Sequence, residues 1–431
     1  MNIVIIGEGT SGINLFESLT KIGHRVCYVD HAAIIDDSQL SNIDFDIYES
    51  IHEKEAVIKS IIDYKQKIKQ ADVIMIAVEQ LVLFEHIDHL EYINEIAQFI
   101  AEQLEKNCVI AITSTVPVGQ TEKIEQWMKR FLKKDIEIEV VYNHEIYIRL
   151  RDYDDSYSSS YVVIGVESGW AEQKMYDVYE NFHHPLAMMD RKSAEMVQFA
   201  SDGILALQMS FINELAVICE KVDANVDDVS RAIKLDPRIK KAGFRAGVDF
   251  RHGYFMKELK TLYGLSENLH KEMKTVKAAL EVNQSQRFTL LEKAKKYYAS
   301  FNGLTVAVLG LTYSTDSDEV KEAAAYYNVE RLLQEGANIK VWDPIGMDKL
   351  KQFYPTEVYY SSSIEDALVA ADVCFIFTDW NEIKRFDIYD FSVYMKQPIV
   401  LDGSNCYNLC DVKEASFLYE SIGRKIIDGR I

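Results

Sequence analysis

"NIVIIGEGTSGINLFESL", Asn2 to Leu19, decides the fold of this chain. An apolar run ends on Gly7, and Gly7, Gly9 and Gly12 stand in G-x-G-x-x-G spacing directly before a segment of helical periodicity. Strand, glycine turn and helix opening, in that order, meet three needs of a bound pyrophosphate. The turn is tight, the backbone carries no Cβ where the ligand approaches, and the first helical N–H groups face the phosphates. The spacing alone is a weak signal. Asp30 strengthens it by closing the next apolar run, "RVCYVD". A carboxylate there receives the adenosine ribose hydroxyls and repels a 2′-phosphate. NAD is therefore the expected cofactor rather than NADP. Gly7, Gly9, Thr10, Ser11 and Gly12 are its expected contacts at the turn and Asp30 at the ribose. Val78, Ser114 and Thr115 join them where two later apolar runs end. A glycine turn in an empty or flavin-type fold of the same class remains the alternative.

Working outward, "ADVIMIAV", "CVIAITS", "IEIEVVYN" and "YVVIGV" read as further strands, with helical segments such as Ser11 to Gly23 and Ile93 to Glu105 between them. That alternation predicts a parallel, doubly wound sheet. From about Ser193 the pattern is helical for roughly a hundred residues, beginning with a long apolar helix suited to packing or to a dimer surface. "LTVAVLGL", "NIKVWDP", "ADVCFIFTDW" and "QPIVLDGS" then restart the strands, with "AAYYNVERLLQEGA" as a crossover helix ended by Gly336. The expected class is α/β, with two Rossmann-like doubly wound domains joined by a central helical domain. The expected boundaries are 1–190, 191–298 and 299–431.

Charge limits the partners. Lys+Arg number 47 against 68 Asp+Glu, a formal charge of −21, which argues against nonspecific binding to nucleic acid or an anionic membrane. No uninterrupted apolar run approaches the roughly 18 residues of a membrane helix, and "MNIVIIG" offers no signal-peptide pattern. Cys27, Cys108, Cys219, Cys374, Cys406 and Cys410 form no metal-ligand spacing, so no metal is expected and reduced, buried thiols of a cytoplasmic protein are. Against this acidity, Asp236 to Glu258 holds six Lys/Arg and three Asp/Glu. Within it, "GVDFRHGYFMKEL", Gly247 to Leu259, mixes basic, aromatic and glycine residues.

"AITSTVPVGQTEKI", Ala111 to Ile124, resembles the strand-and-turn signature of the nucleotide-sugar dehydrogenases of the UDP-glucose/GDP-mannose type. The resemblance runs through nearly the whole chain. "NHEIYIRL" stands where the family has an Asn-Pro-Glu-Phe-Leu-Arg-Glu pattern. "AEMVQFASDGILALQMSFINELAVICE" resembles its central helix, "DPRI" its dimer-crossing arginine loop and "VLGLTYSTDSDEVKEA" its third-domain signature. "VWDP", "FTDWNEIKRFD" and "LDGSN" follow in order. The resemblance implies an NAD domain, a helical homodimer core and a UDP-binding carboxyl domain. It also implies oxidation of a sugar C6 alcohol in two steps, through a thiohemiacetal on cysteine.

The residues that carry this chemistry are mostly changed. The family's Gly-Phe-Gly-Gly-Ser-Cys-Phe-Pro-Lys-Asp run falls on Asp249 to Glu258, which puts Tyr254 in the nucleophile's place. Its central-helix lysine falls on Gln198, the asparagine one turn later on Asp202, and the second glutamate of the Asn-Pro-Glu pattern on Arg149. Its Phe-Lys becomes Tyr313-Ser314 and the arginine of its Asp-Gly-Arg becomes Ser404. Matching residues stand at Thr115, Glu145, Arg238 and Lys257, with Glu258 for aspartate.

A phenol cannot form a thiohemiacetal, so the four-electron route is not expected. Tyr254 and Lys257 are three apart and face one way if a helix begins at about Met256. A nearby ammonium favours phenolate, which suits proton exchange with an alcohol or carbonyl during a two-electron hydride transfer. The other reading makes Tyr254 a plug in the vacated pocket, with Lys257 pairing Glu258 or Glu145. Asp202 shares a helix face with Gln198 and either lines a cleft or pairs with Arg149. Arg238, Lys240, Lys241, Arg245, Arg251 and His252 either meet a diphosphate or form a solvated surface.

The expected catalytic set is thus Tyr254, Lys257, Glu145, Asp202 and Thr115, with Gln198, Arg238, Phe250 and Lys257 at the substrate. His183-His184 read as a turn and Trp380 as packing near a nucleotide. Cys219, further along the central helix, and Cys406, in the carboxyl domain, are weak candidates for a substitute nucleophile. The function expected is NAD-dependent oxidoreduction of a nucleotide sugar by a homodimer. The alternative is a catalytically inactive binding protein of the same fold.

Overall fold

A computed structural model describes residues 1–7, 9–30, 64–78, 89–133, 135–148, 158–239, 244–250, 253–315 and 317–430. It divides into two compact units, Met1–Ala200 and Ser201–Ile431.

The first unit is built on seven strands: β1 (Asn2–Gly7), β2 (Arg25–Asp30), β3 (Val73–Ala77), β4 (Cys108–Ile112), β5 (Ile138–Ile148), β6 (Ser158–Gly165) and β7 (Leu186–Met189). They lie in the order β2-β1-β3-β4-β5-β6-β7. β3 and β4 are buried at every position, which is why they read as unbroken apolar runs: helices cover both faces of a parallel sheet. One face packs Val4, Ile6, Ile74, Ile110 and Val140, and the other packs Ile3, Ile5, Met75, Val109 and Val141. The sheet is not wholly parallel as expected. β6 runs antiparallel to β5, with a register shift at Ile146/Tyr147. The reason is chain length: the nine residues from 149 to 157 are too few for the crossover a parallel pair needs.

The second unit repeats the plan with β8 (Thr305–Leu309), β9 (Asn338–Trp342), β10 (Val358–Tyr360), β11 (Val373–Ile376), β12 (Ile399–Asp402), β13 (Leu418–Ser421) and β14 (Ile427–Asp428). The order is β10-β9-β8-β11-β12-β13-β14, parallel except for the last pair. The crossover helix is Ala324–Gln334, and Gly336 follows it in the left-handed region at φ 81°, as a helix terminator should.

The helix Arg191–Lys221 runs 31 residues. Its buried side includes Ala206, Ile212, Ala216 and Cys219, whereas Ile204, Phe211 and Ile218 are 58%, 55% and 58% exposed and recur every seven residues. By length and composition this helix could cross a bilayer, a point that a search for uninterrupted apolar runs misses, because scattered charges break the run without removing the helix's apolar character.

Candidate functional site

The glycine turn of the first unit is fixed by contact with the next strand. Gly7 pairs in register with both Asp30 and Ala77, so the carboxyl ends of three adjacent strands meet there. A Cβ on Gly7 would sit 2.3 Å from the Ala77 carbonyl oxygen, and one on Gly12 would meet the Tyr28 ring at 3.0 Å. Glycine is therefore required at both positions by packing. The helix Gly9–Lys21 starts two residues after β1, which aims its unpaired N–H groups at the same strand ends. Thr10 and Ser11 lie in its first turn, with side chains outside the described residues. Buried Ser114 ties the following loops together: its hydroxyl accepts from Val78 N–H at 3.0 Å and donates to Val78 C=O at 2.7 Å. Thr113 Oγ1 donates to Ile76 C=O at 2.9 Å, and half-buried Thr115 follows. Gly7, Gly12, Asp30, Val78 and Ser114 thus gather at one end of the sheet, and the backbone cradle there fits a dinucleotide.

One functional position escaped the sequence reading. Glu195, fully buried on the long helix, accepts hydrogen bonds from Gly119 N–H, from Thr121 N–H at 2.9 Å and from Thr121 Oγ1 at 2.7 Å. It caps the helix Gln120–Met128 from outside, where Gly119 at φ 85° supplies no side-chain cap. The loop carrying Ser114 and Thr115 is pinned at its far end by this carboxylate. The only sequence signal was an acid on an otherwise apolar helix face.

The second unit holds a narrow cleft of about 390 Å³, open to solvent, whose walls include Gly247, Asp249, Phe250, Tyr313, Asp379 and Ser404. The Asp249 carboxylate is 7% exposed. It accepts from Asn283 Nδ2 at 2.6 Å and from Arg287 Nε at 2.8 Å. Burial pushes this carboxyl up to about 6, against the opposing pull of the Arg287 guanidinium. Arg287 also stacks on Tyr327, 4.8 Å from the ring centroid. Burial raises the Tyr313 phenol too, with the Asp249 charge adding to it. Phe250 is 1% exposed and gives its N–H to Asn283 Oδ1 at 2.9 Å, so it serves the cleft as a wall held by the core. Ser314 and Ser404 are both buried.

Asp379 Oδ2 holds two cations, Arg245 Nη1 at 3.0 Å and Lys384 Nζ at 2.9 Å. Arg245 Nη2 also donates to the backbone oxygen of Ser404 at 2.8 Å. Trp380 Nε1 donates to Asp343 at 3.0 Å, and the same carboxylate accepts from Leu311 N–H at 2.7 Å, so Trp380 braces the turn after β8.

The helix expected from about Met256 begins at Gly253 and runs to Asn268, which places Tyr254 and Lys257 together in its first turns. The Tyr254 side chain lies outside the described residues, and Lys257 is exposed beside buried Glu258. Glu145 sits on β5 with its side chain likewise outside, as are Arg149, Lys240, Lys241, Arg251 and His252. Gln198 is half-buried, and Asp202 one turn later is 8% exposed. Arg238 is 86% exposed and paired with Asp236 at 2.6 Å, so within one chain it is turned away from any cleft. His184 packs its ring 5.0 Å from Phe182.

The cysteines are less uniformly buried than expected. Cys108, Cys219 and Cys374 are buried, Cys27 and Cys406 intermediate, and Cys410 exposed, none of them in a disulfide. Burial pushes the Cys108 thiol up to about 12 and that of Cys406 well above its ordinary value, with Asp402 and Asp379 adding to the latter. These are poor thiolates.

Residues 1–183 match the NAD-binding domain of the UDP-glucose/GDP-mannose dehydrogenase family, 192–285 its central domain and 307–409 its UDP-binding domain. The chain is 32% identical over 435 residues to UDP-glucose 6-dehydrogenase YwqF of Bacillus subtilis, covering 99% of this chain and 98% of that one. It is 29% identical over 436 residues to UDP-glucose 6-dehydrogenase of Rickettsia conorii, with 99% and 100% covered. In fold it is similar to a UDP-glucose dehydrogenase from Pyrobaculum islandicum, with a TM-score of 0.81 at 23% identity over 98% of this chain and 97% of that one. The cofactor of the amino-terminal site is NAD, on the match over residues 1–183 and on the cradle beside Asp30.

Proposed function

The chain belongs to the UDP-glucose/GDP-mannose dehydrogenase family, and from that premise we propose that it is an NAD-dependent oxidoreductase acting on a nucleotide sugar by a single two-electron step. The observation that carries the reading is at the helix Gly253–Asn268. Tyr254 and Lys257 lie one turn apart in the first turns of this helix, and the family resemblance implies that Tyr254 falls at the nucleophile's position. A phenol held near an ammonium takes the hydroxyl proton of the alcohol as its hydrogen leaves as hydride, and returns it in the reverse direction. When bound, NAD supplies the hydride acceptor. Gln198 and Asp202, one turn apart on one helix, are proposed to offer an amide and a carboxylate to the sugar, and Glu145 and Thr115 are proposed as further catalytic residues.

The raised thiols of buried Cys108 and Cys374 and of half-buried Cys406 support the absence of a covalent step at these residues. We assign the stripe of Ile204, Phe211 and Ile218 to a homodimer through the long helix, with Arg238 exposed toward the second copy.

A second reading has its own support. Asp249 puts a carboxylate inside the cleft where the family has glycine, and Ser314 and Ser404 replace its basic groups. A chain so altered could bind NAD and a nucleotide sugar without turnover.

The test follows NADH absorbance with NAD and a panel of UDP-, GDP- and TDP-sugars, for wild type and Tyr254→Phe. Reduction in the wild type that is lost in the variant supports the phenol as acid/base. A yield of two NADH per sugar refutes the two-electron step. Cofactor binding with no reduction on any sugar favours the second reading.

A further inference from the structure

We infer that Glu195 is a positioning residue for the cofactor: it holds residues 115–118 against the nicotinamide half of NAD. The inference rests on the assignment of the amino-terminal site and concerns the first unit alone. Strand order gives the direction. β2, β1, β3 and β4 lie side by side in that order and end at Asp30, Gly7, Ala77 and Ile112. A dinucleotide lies across the carboxyl ends of such strands. With its adenosine ribose at Asp30 and its pyrophosphate after Gly7, its other half runs on toward β3 and β4. The loop that leaves β4 meets it there.

That loop is strapped at both ends. At its start, Thr113 Oγ1 donates to the Ile76 carbonyl at 2.9 Å and Ser114 Oγ to the Val78 carbonyl at 2.7 Å. At its far end, Glu195 Oε2 accepts from Gly119 N–H, and Oε1 accepts from Thr121 N–H at 2.9 Å and from Thr121 Oγ1 at 2.7 Å. Residues 115–118 lie between the straps. Of the three consecutive hydroxyl residues, Thr113 and Ser114 spend theirs on the end of β3. Half-buried Thr115 makes no such bond among the described residues, so its hydroxyl is the one left for a ligand.

The position of Gly119 is what Glu195 alone supplies. As a fastening between the long helix and the helix Gln120–Met128 it would be redundant. Arg191 Nη1 already bonds Glu125 at 2.6 Å and the Val140 carbonyl at 3.1 Å, and Lys192 bonds Glu122 at 2.9 Å. The long helix also meets the sheet without clearance: a Cβ on Gly165 would lie 2.7 Å from Arg191 Cα and 2.8 Å from Ala194 Cβ. Against that fixed base, a fully buried carboxylate carries a desolvation cost that only its hydrogen bonds offset, and two of the three go to the backbone where the loop ends. A loop held at both ends presents Thr115 in one place, which lowers the entropy lost when the cofactor docks.

The test is calorimetric binding of NAD, and separately of ADP-ribose, to the full chain as wild type, Glu195→Gln and Lys192→Met. ADP-ribose keeps the adenosine, the pyrophosphate and the second ribose but lacks the nicotinamide. Glu195→Gln turns one carboxylate oxygen into an NH2 donor, which then faces either the Gly119 N–H or the Thr121 donors, so a strap is lost without a change of size. It is expected to weaken NAD by about tenfold, the effect of one charge-assisted bond, while ADP-ribose stays within about twofold of wild type. Lys192→Met removes an exposed pair between the same two helices and is expected to leave both affinities unchanged. Equal losses of NAD and ADP-ribose in Glu195→Gln, loss of all binding included, make Glu195 a fold anchor only and overturn the inference. An NAD affinity equal to wild type overturns it too. A wild type that binds neither ligand overturns the assignment of the site and the inference with it. A wild type whose NAD affinity depends on Glu195, yet which reduces no NAD with any nucleotide sugar, refutes the enzymatic reading and leaves the inference standing.

Discussion

Replacing Arg287 by Met tests whether Asp249 is a buried charge kept ionised by one partner. In the wild type, burial raises the Asp249 carboxyl from 3.8 to about 6. Between those values the folded chain keeps a proton that the unfolded chain has released. Stability therefore falls as pH rises through the window and levels off above about 6, a span of about 3 kcal/mol at 1.36 kcal/mol per unit. Without Arg287 the main opposing attraction is gone, so the carboxyl rises further and the penalty extends to higher pH. At pH 8 the variant leaves an uncompensated buried carboxylate, expected to cost about 3–5 kcal/mol. At pH 5 Asp249 is largely protonated in both proteins, and the loss reduces to a hydrogen bond and the stacking on Tyr327, about 1 kcal/mol each. Thermal and urea midpoints at pH 5 and pH 8 read the difference directly. An equal loss at the two pH values would show that Asp249 is not ionised inside the cleft, and the reasoning would fail.

Gly7→Val drives a side chain into the Ala77 carbonyl oxygen, 2.3 Å from an added Cβ. It should cost about 1–3 kcal/mol of stability and weaken NAD by at least about tenfold, and an unchanged affinity by calorimetry would remove Gly7 from the site. Phe211→Glu puts a charge in the centre of the exposed stripe of the helix Arg191–Lys221. Light scattering should find a mass twice the chain's in the wild type and a single chain's mass in the variant. A monomeric wild type, or a variant that stays dimeric, would refute the assigned interface.

The parts of the fold that were legible are those with a one-dimensional signature. β1, β3 and β4 are buried on both faces, so each appears as an apolar run bounded by polar residues. The glycine turn was legible because close packing against Ala77 excludes every other residue type. Direction was not legible. Nothing in the composition of β6 says that it runs antiparallel to β5, because alternation and burial look the same read either way. The helix start at Gly253 was missed because glycine is a poor helix former and the apolar pattern begins only at Phe255. Side-chain partnerships were the least legible. Asp249 finds Arg287 across 38 positions, Glu195 finds Thr121 across 74 and Arg245 finds Asp379 across 134. A sequence shows each charge but not which opposite charge the fold brings to it.

Those partnerships also separate what the fold must keep from what the chemistry may change. Gly7, Gly12, Ser114 and Glu195 hold backbone to backbone or cap a helix, and a substitution at any of them disturbs the cofactor cradle or the loop beside it. All four tasks are set by geometry that a dinucleotide domain needs whatever its substrate. Tyr254, Gln198, Ser314 and Ser404 are the positions where the family resemblance implies substrate contact and where this chain's residues differ from the family pattern. Asp249 joins the two groups, since a buried carboxylate persists only where partners such as Asn283 and Arg287 hold it. The cleft wall therefore carries a buried, partnered charge rather than an apolar plug. A pocket freed of function would be expected to fill with apolar side chains, the less costly way to close it.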